Sequence, residues 1–196
     1  MSLPYITVSF TPNEKNDNLN FSIGNSNIKL RKFDNERATL IILGTPILGE
    51  KITYDDIWSQ VTDMGLPPKF LRQVNGEFLF LTLDKKSRSL RVSTDRYASI
   101  PFFYISDESN FFGSVFYKDI WEYLKLKNKI NLNEHAIFEF LWLQRLLGTK
   151  TYDSRSSFLL GATTVTYRSG TITIEPYWRP SFEKTGASVK DTAQQL

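Results

Sequence analysis

The chain has 196 residues, of which 41% are hydrophobic and 14% aromatic, enough to bury a substantial core in one domain and to exclude disorder as the default. A formal net charge of +3 is too small and too scattered for a nucleic-acid binder; Lys29/Arg31/Lys32, Lys85/Lys86/Arg88 and Lys125/Lys127/Lys129 read as solvated turns and strand edges. With no cysteine, disulfides, thiolate metal sites and thiol nucleophiles are all excluded.

In chain order, residues 4–10 alternate apolar and polar side chains and predict a half-buried strand. Residues 19–23 and 28–33 alternate again, with Gly24, Asn25, Ser26 and Asn27 between them, which predicts a hairpin. Residues 39–43 are continuously apolar, as in a strand covered on both faces. Thr53 can cap a helix running to about Met64, with Ile57, Trp58 and Val61 on its buried stripe and Gly65 at its end. Asp55 and Asp56 fall in its first turn, where a helix dipole favours acids. Pro67-Pro68 block further helix, and Phe70 and Leu71 fall in a short helical turn.

Four strands follow, at 77–83, 89–94, 101–105 and 111–116, which the sequence presents as one antiparallel meander. A helix over 118–126 carries Ile120, Trp121 and Leu124 on one face. Asn131, with Glu134 three residues on, has the spacing of a capping box for the next helix, which carries Ile137, Phe138, Leu141, Trp142 and Leu146. Trp58, Trp121 and Trp142, all at helical spacing, read as core or interdomain packing. A final hairpin is expected over 162–174 with a Ser169-Gly170 turn. After Trp178 hydrophobicity drops. There Ser188 and Asp191 repeat the capping spacing, with Val189, Ala193 and Leu196 on one face, which predicts a linker and the start of a following domain over residues 179–196.

Candidate chemistry is sparse. His135 is the only histidine and falls in the first turn of a helix, so no zinc cluster or catalytic triad can be assembled around it. No run approaches the roughly 18 apolar residues of a membrane helix, and the N-terminus lacks a signal-peptide layout, so neither membrane nor nucleic acid is expected as a partner and a cytoplasmic location is expected. Asp95-Arg96 reads as an ion pair at a strand end.

Several segments carry a resemblance in the right order. Val74-Asn75-Gly76-Glu77-Phe78, Asp95-Arg96-Tyr97 with Pro101 and Tyr104, Phe112-Gly113-Ser114 and the closing Tyr177-Trp178 resemble the N-terminal glutaminase-like domain (class II glutamine amidotransferase) of asparagine synthetase-like proteins. The resemblance implies an α+β fold, a four-layer αββα sandwich of two stacked antiparallel sheets flanked by helices (Ntn-hydrolase-like), over residues 1–178. It also implies a C-terminal synthetase domain in the same polypeptide, which alone would bind ATP and Mg, leaving this chain without a cofactor. A homodimer is possible.

Active members of that family use an N-terminal cysteine with the chain's own α-amine as base, and this chain has none. Ser2 is the one candidate nucleophile. The loop that holds glutamine in such enzymes falls on residues 43–48, where Leu43 and Thr45 replace its polar residues and only Gly44 is kept. The acidic residue that grips the substrate amine falls on Asn75, and a glycine of the Asp-Arg motif on Ala98. Asp95, Arg96 and Pro101 remain as a structural motif. The resemblance with these losses implies a non-catalytic domain of a ligase of the asparagine-forming, glutamine-using class. The alternatives are an active amidohydrolase that uses Ser2 and a stand-alone binding module.

Overall fold

The computed structural model describes residues 5–11, 18–24, 27–49, 52–64, 66–107 and 109–181. Ser2, Gly65 and the predicted capping sequence after residue 181 lie outside them.

Two antiparallel sheets are stacked face to face. One has the order β2-β1-β8-β7-β9, made of β1 (Tyr5–Thr11), β2 (Asn18–Gly24), β7 (Phe103–Ser106), β8 (Phe111–Ser114) and β9 (Ser157–Phe158). The other has the order β11-β10-β6-β5-β4-β3, made of β3 (Leu30–Asp34), β4 (Ala38–Ile47), β5 (Asn75–Asp84), β6 (Ser89–Thr94), β10 (Thr163–Arg168) and β11 (Thr171–Pro176). The helices are α1 (Tyr54–Met64), α2 (Pro68–Leu71), α3 (Tyr117–Leu126) and α4 (Glu134–Leu143).

Side chains alternate across a strand, so one strand can feed two cores. On β5, Leu79, Leu81 and Leu83 point between the sheets, where they meet Ile6, Val8 and Phe10 of β1 and Phe102, Phe111 and Tyr167. Phe78 and Phe80, stacked with ring centroids 4.4 Å apart, point the other way, onto Ile57 and Val61 of α1 and Leu71 of α2. Leu40 and Ile42 of β4 do the same, while Ile41 and Leu43 join the inter-sheet core. Residues 40–43 of β4 and 78–81 of β5 are apolar without a break because each stretch is covered on two sides. The other sheet carries α3 on its outer face, where Phe112 stacks on Tyr123 at 4.2 Å and Phe103 meets Tyr117 edge-on at 5.4 Å. The result is the αββα sandwich expected from the resemblance.

α1 is capped as its sequence predicts. Thr53 donates its backbone N–H and hydroxyl to the Asp56 carboxylate, and its hydroxyl oxygen accepts the Asp56 N–H. These bonds, the hydroxyl first, hold the Asp56 carboxyl below the ordinary carboxylate range.

Four local expectations are corrected. β2 and β3 are not a hairpin: β2 pairs with β1, β3 pairs with β4, and they lie in different sheets. The four central strands are not one meander, because β5–β6 belong to one sheet and β7–β8 to the other, with residues 95–102 crossing between them. The cap of α4 is Asn133, whose side chain accepts the Ala136 N–H, whereas the Asn131 side chain donates to Ser154. Trp142 is 85% exposed, which excludes core packing for it and leaves packing between domains, whereas Trp58 stacks on Phe33.

Candidate functional site

The positions that the resemblance assigns to glutamine lie where β4 ends and β5 begins. The ladder pairs Leu43 with Leu79, Thr45 with Glu77 and Ile47 with Asn75. Leu43 is fully buried between the sheets, while Thr45 and Asn75 are exposed. Leu43 is thus taken up by the core, and only Thr45 and Asn75 reach the surface.

The space between the sheets here is apolar and nearly closed. A gap of about 150 Å³, lined by Ile6, Val8, Leu43, Leu79 and Phe102 among others, leaves no room for the centre of a water molecule. An unpaired amide moved from water into such surroundings costs roughly 2–7 kcal/mol. Gly44 is kept for a packing reason: its φ is +89°, and a Cβ there would lie 2.4 Å from the Glu77 carbonyl oxygen.

Asp95 opens the crossing segment and is 1% exposed. Its carboxylate accepts the N–H of Phe78 at 3.2 Å, of Tyr97 at 2.8 Å and of Ser99 at 3.1 Å, and the Ser99 hydroxyl at 3.1 Å. The expected ion pair with Arg96 is therefore corrected. The carboxylate is taken up by donors of its own turn and of β5, and Arg96 turns elsewhere.

Arg96 donates from Nη2 to the Arg72 carbonyl at 2.9 Å and lies over the Trp178 ring at 5.2 Å. Arg72 in turn donates from Nε to the Tyr177 carbonyl at 2.6 Å. The Tyr177 hydroxyl donates to the Thr94 carbonyl at 2.7 Å, and the Ala162 N–H to the Asp95 carbonyl at 2.7 Å. Burial, and then the nearby Asp95 charge, push the Tyr177 hydroxyl pKa well up. The two motif halves, Asp95-Arg96 and Tyr177-Trp178, are thus one hydrogen-bonded hub that ties β6 to β10 and to the end of α2. Pro101 is exposed on the crossing segment between this hub and β7.

Beside the hub opens a cavity of about 400 Å³, lined by Arg96, Tyr104, Leu160, Thr163, Trp178 and Arg179 among others. Arg96 Nε is buried and has no hydrogen-bond partner. A guanidinium over an indole, with a second arginine in the lining, suits a ligand that joins a negative charge to a flat apolar body. Sequence reasoning did not find this site, because its lining comes from widely separated segments with no local spacing to betray it. A second cavity, about 580 Å³, lies at the far end of the six-stranded sheet and includes Arg37, Asp84, Lys86 and Arg91. Burial works against the Asp84 charge, yet the Ser87 hydroxyl and the Ser87 and Lys86 N–H groups outweigh it and hold the pKa down.

His135 is exposed in the first turn of α4. Among the described residues no three acidic, histidine or cysteine side chains are grouped to hold a metal ion, and no helix is long and apolar enough to cross a membrane.

Residues 57–178, more than half of the chain, match the family model of a glutamine amidotransferase domain. No curated protein matches the chain.

Proposed function

Given that this chain belongs to the glutamine amidotransferase domain family, we propose that it is a catalytically silent member. Its role on this reading is architectural, as the N-terminal domain of an asparagine synthetase-like, ATP-dependent ligase, docked on the synthetase domain that would hold ATP and Mg.

The observation that carries this reading is the fate of the three aligned positions. Leu43 is buried in the inter-sheet core, and Thr45 and Asn75 are exposed where β4 ends and β5 begins. An enzyme that grips glutamine needs a carboxylate for the substrate ammonium and donors aimed at the oxyanion. Leu43, Thr45 and Asn75 supply no carboxylate. The chain also has no thiol to attack the amide. Asp95 of the retained motif and the Tyr177 hydroxyl, in contrast, are engaged in holding strands together.

Purified chain incubated with glutamine is expected to release ammonia at the rate of the buffer blank. Turnover above the blank that Ser2→Ala abolishes would establish the amidohydrolase reading in its place.

A second reading, a small-molecule binding module, is favoured by the Arg96–Trp178 cavity. Intrinsic tryptophan fluorescence titrated with aromatic carboxylates tests it. Saturable quenching lost in Arg96→Ala supports binding, and a flat response rejects it for that ligand class.

A further inference from the structure

The outer face of the six-stranded sheet is only partly covered by α1. Ile57 and Val61 pack on Leu40, Ile42, Phe78 and Phe80, all from β4 and β5. On β6, Leu90 and Val92 point between the sheets, so alternation turns Ser89 and Arg91 outward. The cavity of about 580 Å³ opens where α1 stops, with Val61 and Thr62 of its last turn on one side. Thr82 and Arg91, opposite each other on the β5–β6 ladder, share the sheet face that lines it.

Three cations reach this cavity from three segments: Arg37 from the β3–β4 turn, Lys86 from the β5–β6 turn and Arg91 from β6 itself. The two turns are held side by side, because the Lys85 N–H donates to the Arg37 carbonyl at 2.9 Å. Lys85 is spent on Asp34 and on the Asn35 carbonyl. Among the described residues, no hydrogen bond or ion pair engages the side chain of Arg37, Lys86 or Arg91. Asp84 attracts Arg91 without pairing with it. Its carboxylate accepts instead from the Ser87 hydroxyl and from the Lys86 and Ser87 N–H groups.

Two observations separate this cavity from a solvated rim. Arg91 is half-buried on a strand that has neighbours on both sides. Thr82 beside it is 5% exposed, and its hydroxyl has no hydrogen-bond partner among the described residues. Buried hydroxyls are ordinarily bonded, so Thr82 offers a donor to whatever fills the cavity.

We propose that this cavity binds a small molecule carrying a polyphosphate. Sites for small molecules enclose about 300–1,000 Å³, and this one falls in that range. A carboxylate is planar and one guanidinium fork satisfies it, whereas phosphoryl oxygens accept donors from several directions. Arg37 precedes β4 and Arg91 lies on β6, two strand spacings or about 10 Å across the sheet, more than a single phosphate spans. The Asp84 charge and the C-terminal end of α1, worth about half a negative charge, oppose an anion. The three cations outweigh both. The assignment does not depend on whether the domain hydrolyses glutamine.

Isothermal titration calorimetry of the full chain with sodium tripolyphosphate tests it. One molecule is expected to bind per chain, with inorganic phosphate and citrate each weaker by about tenfold or more, since each leaves charge unmatched. Arg91→Gln, Arg37→Gln and Lys86→Gln are each expected to weaken tripolyphosphate by about tenfold or more, the worth of one charge-assisted bond. Arg37 and Lys86 are exposed and lie outside the strands, so their variants decide the matter even if Arg91→Gln does not fold. Thr82→Val, close in shape, is expected to weaken binding by about twofold to tenfold with an unchanged circular dichroism spectrum. Lys125→Gln removes the same charge from α3, on the other sheet, and is expected to leave binding unchanged. The absence of saturable heat, an equal loss in Lys125→Gln, or citrate binding as tightly as tripolyphosphate overturns the proposal. A single-stranded DNA oligonucleotide that binds more tightly than tripolyphosphate also overturns it, and makes the surface a nucleic-acid contact.

Discussion

Replacing Asp95 by alanine removes the acceptor for four donors at once. The cost is unequal among them. Phe78 is fully buried, so its N–H loses its bond with no water to replace it, a penalty of about 1–3 kcal/mol. Tyr97 and Ser99 are exposed, so water can take up their N–H groups, and each loss costs about 0.5–1.5 kcal/mol. The sum is about 2–6 kcal/mol, a large part of the 5–15 kcal/mol typical of a domain. Asp95→Asn keeps one acceptor oxygen and the shape of the side chain, and is expected to cost about half as much. Urea unfolding followed by tryptophan fluorescence measures both; the midpoint should fall while the slope m stays constant. An Asp95→Ala protein within about 0.5 kcal/mol of wild type, inside the ordinary scatter of surface substitutions, would show that the hub does not anchor the crossing segment.

Three further outcomes are expected. Ala98 has φ of +51°, a region that costs a β-carbon about 1–2 kcal/mol, so Ala98→Gly should raise the unfolding free energy measured in urea by up to about 1 kcal/mol after the flexibility it adds to the unfolded chain. Tyr177→Phe deletes the buried bond to the Thr94 carbonyl and should cost about 1–2 kcal/mol by the same assay, with no change in secondary structure by circular dichroism. The Asp34 carboxyl is held below its ordinary pKa, first by the Thr39 hydroxyl and then by Lys85, so the folded state binds its proton less readily than the unfolded state. That contribution is present above about pH 4 and is lost as pH falls through the lowered folded value. Asp34→Asn should therefore flatten part of the acid limb of stability against pH, measured as the melting temperature from pH 6 to pH 3.

The layering was legible in the sequence, whereas the assignment of strands to sheets was not. Residues 40–43 are apolar without interruption because β4 is covered on both faces, and burial is what periodicity reports. Alternation in β2 and β3 would look the same whichever sheet each joined, and the turn residues between them suggested a pairing that tertiary contacts override. The crossing at Asp95 was read as one more step of a meander, whereas its side chain closes a local turn, through Tyr97 and Ser99, that carries the chain to the other sheet. Asn131 and Asn133 are both good caps by type. Only the position of the Ala136 N–H selects Asn133, which makes Glu134 the first helical residue rather than the reciprocal partner. The apolar wealth of α4 was plain, but composition cannot say which half of a helix its own domain covers. The Asp-Arg and Tyr-Trp motifs were found separately, and their contact appears only in three dimensions.

The central place of the first strand limits how this protein can be divided. β1 lies between β2 and β8, and the Thr11 hydroxyl donates to the Asn110 side chain 99 positions away. β4 likewise lies between β3 and β5. Both strands precede Ile57, where the family match begins. An excised 57–178 fragment would bare one whole side of β5, whose residues 78–83 are all buried in the intact sheet, and one side of β8 as well. Uncovered apolar strands with unsatisfied N–H and C=O groups seek other chains. The homologous segment and the autonomous folding unit are therefore different objects, and any chimera or truncation must carry the N-terminal strands with it to remain in solution.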